Sequence, residues 1–213
     1  MIFFMMERVS IREQKYKIWR FVTILCIFAR FFNMNTLFLD RDGVVNVQII
    51  GGYVESLEQF VFIDHFLEAM KLLRPKFKHI VLVTNQQCIG KKICTQAQVD
   101  AVHSYMQMRL LDQHTPMDAI YCCPHLATED CSCRKPAIGM ALQAKADFPD
   151  IDFADSVMVG DSLSDMQFAQ NAGMIPVHVG AIRHPEFDEI LNVTRYHFDD
   201  LYDFARYLEE RRK

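Results

Sequence analysis

The sequence predicts an α/β fold in which a parallel β-sheet is flanked by helices, in a Rossmann-like arrangement. Short apolar runs that suit buried strands alternate along the chain with longer segments in which apolar residues recur at helical spacing. This alternation is typical of a parallel sheet with helices on both faces. The chain has 213 residues, and its hydrophobic content of 51% is ample for one core.

Five strands are predicted. The first two, at residues 36–39 and 79–84, are continuous runs of β-branched and large apolar residues, which favours strands that are buried on both faces. Three further short runs, at 118–122, 156–160 and 175–179, complete the predicted sheet. Each strand is followed by a helical pattern or precedes one, so the connections suit parallel pairing.

Helices are predicted in the segments between the strands and at the end of the chain. The ranges are 65–74, 96–113, 138–148, 163–172 and Asp199–Arg212. Thr95 and Gln98 have the spacing of a capping box at the start of the second helix. The last helix is amphipathic, with an apolar face formed by Leu201, Phe204, Ala205 and Leu208. No segment between the elements is long enough for a large cap domain, so we expect a substrate site that is covered only by short loops.

Two aspartates follow the first predicted strand, in the segment Asp40-Arg41-Asp42-Gly43. The carboxyl ends of strands are where open α/β sheets bind ligands. Gly43 supports a turn there, because glycine tolerates backbone angles that other residues avoid. Two neighbouring acids are costly unless a cation or a shared proton relieves them, and Mg²⁺ with a phosphate ester would do so. The alternative is an ordinary turn, in which Asp and Gly are common.

Polar residues also follow the second strand, in Thr84-Asn85-Gln86, where they could donate hydrogen bonds to phosphate oxygens. The alternative is a polar strand cap. Arg134-Lys135-Pro136 comes just before a helix, and a fixed cation there could neutralise a transferring phosphoryl group. A solvated basic pair is the alternative.

The fourth predicted strand ends in Gly160-Asp161-Ser162-Leu163-Ser164-Asp165. Asp161 lies at the strand end and could bind Mg²⁺ through a carboxylate oxygen. Asp165 lies one helical turn later. It could support Asp161 or a metal-bound water, but with Ser162 it also has the spacing of a helix-capping pair.

The motifs DxDG, TNQ, RKP and GDxxxD, in this order, resemble those of the haloacid-dehalogenase (HAD) superfamily of phosphohydrolases. All four match, across residues 36 to about 180. The resemblance implies a HAD-like fold and a phosphoric monoester hydrolase.

The resemblance also implies a role for each motif residue. Asp40 would be the nucleophile that forms an aspartyl-phosphate, and Asp42 would be the general acid and base. Thr84 and Lys135 would stabilise the phosphoryl oxygens. Mg²⁺ would be held by Asp40, by the backbone carbonyl of Asp42 and by Asp161.

A second group of candidate metal ligands lies in the loop 122–133, as Cys123-Pro124-His125 and Cys131-Ser132-Cys133. Three thiolates and one imidazole would make a closed, structural Zn²⁺ site. Cys122 is an alternative ligand. Disulfides are the other interpretation, but they require an oxidising compartment. Zn²⁺ bound here would help to aim the basic pair that follows directly.

The zinc loop joined to RKP resembles the branch that contains the D-glycero-D-manno-heptose 1,7-bisphosphate 7-phosphatases and the histidinol-phosphate phosphatases. The segments around Tyr53 and from Asn85 to Gly90 are similar to those of the heptose enzymes. On this resemblance, we expect Asn85, Gln86, Arg134 and Tyr53 to bind the substrate, a heptose bisphosphate. Histidinol phosphate is the alternative substrate, and a non-catalytic zinc-stabilised binding module is the third hypothesis. The chain departs from the branch at Cys88, where glycine is usual, and at Ser162, where some members have lysine.

Residues 1–33 differ from the rest of the chain. Six Lys or Arg and two Glu give this segment a net charge of +4. Because the whole chain has a net charge of −4, residues 34–213 have a net charge of −8. Its longest uninterrupted apolar run, Phe21–Ala29, is too short to span a bilayer, which takes roughly 20 residues. We expect an upstream extension that arises from a mis-set start codon, is disordered or a loosely attached helix, and has no catalytic role. A basic helix at a membrane surface is the alternative.

The domain at 34–213 is therefore predicted to be a phosphatase that acts on a small phosphate ester. Its negative charge argues against nucleic acid as a partner. We expect no membrane association, a monomer and a cytoplasmic location.

Overall fold

One parallel sheet forms the centre of the fold in the computed structural model, which describes residues 35–180 and 187–211. Within these residues the sheet has six strands in the order β3-β2-β1-β4-β5-β6. The strands are β1 Thr36–Leu39, β2 His79–Asn85, β3 Ala119–Cys123, β4 Ser156–Gly160, β5 Ile175–Val179 and β6 Tyr196–Phe198. The predicted α/β class, with helices flanking a parallel sheet, is confirmed.

The connections between the strands are mostly helical. The α-helices are α1 Phe66–Leu73, α2 Gln96–Asp112, α3 Gly139–Asp147, α4 Leu163–Ala172, α5 Phe187–Val193 and α6 Leu201–Glu210. Short 3₁₀ helices lie at Leu57–Gln59, Arg74–Lys76 and Phe153–Asp155. Thr95 caps α2 in a capping box with Gln98, as predicted. The described residues contain no inserted cap domain.

One α-helix and one strand of the described residues, α5 and β6, were not predicted, and neither were the three 3₁₀ helices. The strand β6 has only three residues, all partly exposed at the edge of the sheet, and it carries little of the apolar signal that marks a buried strand. The other element boundaries differ from the predicted ones by at most two residues, which is the usual uncertainty of helix and strand ends.

Alternating side chains of the central strands pack on opposite faces of the sheet. Phe38, Val81 and Val83 share a cluster with residues of α3 and α4, which cover one face. Leu37 and Leu39 point to the opposite face and are also fully buried, so both faces are covered. The apolar face of α6 is buried as predicted, and this helix packs on α1.

The strand order reverses between β1 and β4. The chain runs outwards from β1 through β2 to β3, and then from β4 through β5 to β6 on the other side. Open α/β sheets bind ligands at such a switch point, beyond the carboxyl ends of the strands. The ends of β1, β2 and β4 therefore lie side by side at the place where the sequence puts its candidate motifs.

The predicted N-terminal extension, residues 1–33, lies outside the described residues, and its boundary with the domain at 34–213 stays a prediction. No helix in the described part of the chain is both long enough and apolar enough to cross a membrane.

Candidate active site

The first aspartate pair lies at the end of β1. The Asp40 N–H donates to the Val159 carbonyl of the neighbouring strand at 3.0 Å, after which the chain turns back on itself. Gly43 has a φ of +91°, and a side chain at this position would collide with the carboxylate of Asp161. Glycine is thus required here both for the turn and for the close approach of Asp161. The turn brings Asp40 and Asp42 into one cleft.

Three carboxylates, from Asp40, Asp161 and Asp165, form a cluster whose ligand atoms all lie within 4.8 Å of one another. The ammonium of Lys135 is 2.5 Å from the Asp40 Oδ1 and 2.5 Å from the Asp165 Oδ1. It also donates to the Val83 carbonyl at 2.8 Å. One buried cation therefore pairs with two of the three acids, and Asp161 forms no ion pair among the described residues.

The pKa values reflect this excess of negative charge. Burial raises the pKa of Asp40 to about 7, and the negative charge of Asp165 acts in the same direction. The positive charge of Lys135 lowers this pKa but does not outweigh the burial. Burial and the charges of Asp40 and Asp165 raise the pKa of Asp161 well above its ordinary value. A divalent cation bound by these oxygens would relieve the repulsion, and hard carboxylate oxygens are the ligands that Mg²⁺ prefers.

Of the two roles that the sequence left open for Asp165, the structure shows helix capping, and it adds an ion pair with Lys135. Its Oδ2 accepts from the Ser162 N–H at 3.1 Å and so caps α4, while its Oδ1 forms the ion pair with Lys135. A side chain on Gly160 would collide with this carboxylate. The same side chain therefore caps α4 and pairs with Lys135.

The carboxylate of Asp42 is held by three side chains. Its Oδ1 accepts from Asn46 at 2.9 Å, and its Oδ2 accepts from Gln86 at 2.8 Å. Arg41 lies within 3.0 Å of both oxygens. Although burial acts in the opposite direction, Arg41 and these hydrogen bonds hold the pKa of Asp42 below its ordinary value.

A cleft of about 570 Å³ opens above the carboxylate cluster. Its wall includes the buried side chain of Thr84 and two further cations, Arg134 and Lys91. Neither of these two cations forms an ion pair with a carboxylate among the described residues. Ile50, 88% exposed, also lines this cleft.

The predicted metal ligands of the loop 122–133 also come together. The sulfurs of Cys123, Cys131 and Cys133 and the imidazole of His125 all lie within 4.8 Å of one another and could hold a metal ion. Cys122, the alternative ligand, instead packs against the buried cluster that contains Cys88. The four-residue cluster ends one residue before Arg134.

Comparison with known proteins shows the family to which this chain belongs. Residues 132–203 match the family model described as HAD-hydrolase-like. The D-glycero-alpha-D-manno-heptose-1,7-bisphosphate 7-phosphatase of Mycobacterium tuberculosis is 37% identical over 171 residues, which cover 79% of this chain and 88% of the relative. The D-glycero-beta-D-manno-heptose-1,7-bisphosphate 7-phosphatase of Escherichia coli K12 is 37% identical over 187 residues, covering 83% and 95%. The chain belongs to the HAD phosphatase family.

A solved structure resembles this HAD phosphatase along most of its length. It is the D,D-heptose 1,7-bisphosphate phosphatase of B. bronchiseptica complexed with magnesium and phosphate, with a TM-score of 0.72 and 32% identity over 83% of this chain and 99% of that one. The phosphatase described here is therefore a hydrolase of phosphate monoesters.

The side-chain amides of two predicted substrate-binding residues of the phosphatase form hydrogen bonds within the protein. Gln86 is buried and does not line the cleft; it donates to Asp42 and, at 2.8 Å, to Thr84 Oγ1. Asn85 lines the cleft, but its side-chain amide bonds the backbone N–H and carbonyl of Lys135 at 3.0 and 3.2 Å. Both amides thus position neighbouring groups, because polar side chains at buried strand ends must find partners within the protein.

The other two predicted substrate-binding residues, Tyr53 and Arg134, also line the cleft. Tyr53 does so next to Lys91, whose ammonium donates to the Tyr53 hydroxyl at 2.9 Å. The guanidinium of Arg134 has a buried Nη1 without a hydrogen-bond partner among the described residues. An anionic ligand in the cleft would satisfy that donor.

Sequence reasoning missed Arg41 and Lys91. Arg41 lies between the two aspartates, where strand alternation points it away from the cleft, and no motif marks it. Lys91 is followed by a second lysine in an exposed loop, and nothing in the sequence separates the one that lines the cleft from its neighbour.

Proposed function

We propose that this phosphatase hydrolyses D-glycero-D-manno-heptose 1,7-bisphosphate at its 7-phosphate in a Mg²⁺-dependent reaction. The observation that carries the proposal is the distribution of cations in the cleft. Lys135 is committed to Asp40, whereas Arg134 and Lys91 line the same cleft without a carboxylate partner among the described residues. This arrangement suits a substrate with a second anionic group, and the relatives act, by their names, on a bisphosphate.

The reaction would begin with attack by a carboxylate oxygen of Asp40 on phosphorus. Because the pKa of Asp42 lies below its ordinary value in the free enzyme, Asp42 would first take up a proton when the substrate binds. As the new bond forms, the bond between phosphorus and the ester oxygen breaks, and Asp42 gives this proton to the leaving alkoxide. Water then attacks the aspartyl-phosphate, Asp42 takes up a proton from it, and inorganic phosphate leaves with Asp40 restored. Thr84 and Lys135 would stabilise the phosphoryl oxygens, and Asp165 would keep Lys135 in place.

Asp40, Asp161 and the backbone carbonyl of Asp42 would hold the Mg²⁺. The cluster of carboxylates suits this ion, because its oxygens are close together and carry more negative charge than Lys135 neutralises. The bound ion would supply the positive charge that lets an anionic nucleophile approach an anionic phosphate.

We also propose that the cysteine–histidine cluster binds a structural Zn²⁺. With Zn–S bonds of about 2.3 Å, a tetrahedral site separates its sulfurs by roughly 3.8 Å. The Cys131 sulfur lies 3.7 Å from those of Cys123 and Cys133, and the remaining pair of sulfurs is 3.1 Å apart. The Cys123 sulfur is 3.5 Å from His125 Nδ1. All four positions would be filled by protein, so the ion would fix the loop rather than take part in the reaction.

Histidinol phosphate suits the cleft less well. This substrate carries an amino group, and a site built for it would be expected to offer a carboxylate beyond the catalytic ones. The carboxylates that line the described cleft are those of Asp40, Asp42 and Asp161, all of which belong to the catalytic centre. A binding module without activity is also disfavoured, because every element of the catalytic set is present.

Initial rates on the two substrates test the proposal. With Mg²⁺ present, we expect kcat/KM for heptose 1,7-bisphosphate to exceed that for histidinol phosphate by at least about 10²-fold, since a site that binds a second phosphate rejects a ligand that lacks it. Both anomers of the bisphosphate belong in the assay, because relatives named for each are equally similar to this chain. Activity should vanish without Mg²⁺ and return when Mg²⁺ alone is restored; a preference for histidinol phosphate would refute the assignment.

The Lys91 side chain gives a more local prediction. In Lys91→Met, KM for the bisphosphate should rise roughly 10-fold with little change in kcat, which corresponds to the loss of one hydrogen bond to a charged group. The matched control is Lys92→Met, because Lys92 is also exposed but does not line the cleft. Equal KM values for the two variants would show that Lys91 does not contact the second phosphate.

The proposed zinc ligands include three thiolates, which suit a reducing compartment, where disulfides are rare. We therefore propose a cytoplasmic location, and a monomer that acts on a small-molecule substrate without nucleic acid.

A further inference from the structure

The buried guanidinium of Arg41 is the centre of a hydrogen-bond network behind the cleft. Its side chain is 0% exposed, and it does not line the cleft. Its Nη2 lies 3.0 and 2.9 Å from the two oxygens of Asp42 and 3.1 Å from the Gln86 Oε1. Since Gln86 in turn donates to Asp42, these three side chains form a closed ring of contacts.

The other end of the guanidinium is anchored on helix α2. Arg41 Nη1 lies 3.3 Å from the Nε2 of His103, a residue that is only 6% exposed. An arginine can only donate, so this imidazole nitrogen accepts. Burial, together with the positive charge of Arg41, lowers the pKa of His103 to about 4, which keeps the imidazole neutral and able to accept.

The arrangement is not one that stability alone would favour. Arg41 Nε is buried without a hydrogen-bond partner among the described residues, and a buried ion pair is weak evidence for a stabilising role, because both ions lose their hydration. The network instead fixes a geometry. Both oxygens of Asp42 are held by the buried Arg41, while 26% of the Asp42 side chain stays exposed and the residue lines the cleft.

We propose that Arg41 is a positioning residue for the reaction: with Gln86, and anchored by His103, it holds the Asp42 carboxyl group in the orientation that proton transfer to the leaving group requires. The inference rests on the proposed function in one respect, that Asp42 is the general acid and base. Proton transfer depends on hydrogen-bond geometry between acid and leaving oxygen, so a carboxyl group that is free to rotate would transfer its proton less well.

The test compares two phosphate esters that differ in how much their leaving group needs a proton. An alkyl ester such as the sugar phosphate leaves as a basic alkoxide and needs the acid, whereas p-nitrophenyl phosphate leaves as a stable phenolate. The parameter is kcat/KM, which reports the steps up to cleavage of the ester bond. In Arg41→Met, kcat/KM for the alkyl ester should fall about 10- to 100-fold, as is usual for a residue that orients a reacting group. For the aryl ester it should change by less than about 3-fold, because that cleavage does not rely on general acid catalysis.

Asp42→Ala separates a failure of this inference from a failure of the proposed function. If Asp42→Ala reduces kcat/KM equally for both esters, the role of Asp42 as the acid is wrong. The other case is that Asp42→Ala reduces kcat/KM for the alkyl ester alone. If Arg41→Met then changes kcat/KM for neither ester, or equally for both, only the inference about Arg41 is overturned. In the double variant, the loss of Arg41 should add little to the loss of Asp42, because the two residues act as one unit.

His103 keeps the inference testable if Arg41→Met does not fold. His103→Leu removes the acceptor that anchors Arg41 and should reduce kcat/KM selectively for the alkyl ester, by less than Arg41→Met would. His103→Gln retains an acceptor oxygen and should restore most of that loss. Identical values for the leucine and glutamine variants, or equal losses on both esters, would overturn the proposal.

Discussion

Replacing Asp40 with asparagine is expected to lower kcat by on the order of 10⁴- to 10⁶-fold, the range found when a covalent nucleophile is removed. Asparagine has almost the same shape as aspartate, but its amide is not a nucleophile towards phosphorus and is a poorer metal ligand. The matched control is Asp112→Asn, the same chemical change on an exposed residue at the end of α2, which should keep full activity.

The Asp40→Asn variant should not be less stable than the wild type when no metal is bound. Burial is the largest influence on Asp40, and with Asp165 it outweighs the attraction of Lys135 and raises the pKa to about 7. An acid whose pKa is raised on folding destabilises the folded state as the pH rises from its ordinary value towards the raised one. Asparagine removes this cost, so the melting temperature in metal-free buffer should equal or exceed that of the wild type. An active Asp40→Asn variant would contradict the covalent mechanism, and an inactive but unfolded one would contradict the electrostatic reading of the cluster.

Removing one ligand of the cysteine–histidine cluster should have the largest effect on stability. Cys131→Ser is expected to abolish stoichiometric zinc and to lower the free energy of unfolding by about 3–5 kcal/mol, as losses of bound metals do. For a domain of this size that corresponds to roughly 6–20 °C in melting temperature. Activity should fall as well, because Arg134 and Lys135 follow the loop directly and Lys135 must reach Asp40.

Cys122→Ser is the matched control for this prediction. It is the neighbour of Cys123 in the sequence, but its side chain packs outside the four-residue cluster. Zinc content measured by metal analysis of the purified chains should be normal in Cys122→Ser and strongly reduced in Cys131→Ser. Normal zinc in Cys131→Ser would refute the ligand set, and normal activity in a zinc-free variant would refute the link between the loop and Lys135.

The sequence predicts the parts of the site that follow from strand ends. Asp40, Thr84 and Asp161 each come directly after or at the end of a continuous apolar run, and neighbouring parallel strands bring such positions to one edge of the sheet. The cluster of possible metal ligands in the loop 122–133 is predictable for a different reason, since the close spacing of its cysteines and histidine leaves few other interpretations.

The parts that could not be predicted depend on tertiary contacts. The side chain of Arg41 turns away from the cleft and meets His103, which is 62 positions away in the chain. From the sequence, the side-chain amide of Gln86 is a candidate to bind the substrate's phosphate. Only the structure shows that this amide already donates hydrogen bonds to Asp42 and Thr84. The strand β6 is absent from the prediction because an edge strand of three partly exposed residues has no distinct hydrophobic pattern.

The most direct test of the proposed function is a ³¹P NMR spectrum of D-glycero-D-manno-heptose 1,7-bisphosphate during its turnover with Mg²⁺. The phosphatase should convert the resonance of the 7-phosphate into that of inorganic phosphate and leave the resonance of the 1-phosphate unchanged. Loss of the 1-phosphate first, or an unchanged spectrum with an enzyme that hydrolyses histidinol phosphate under the same conditions, would contradict the account.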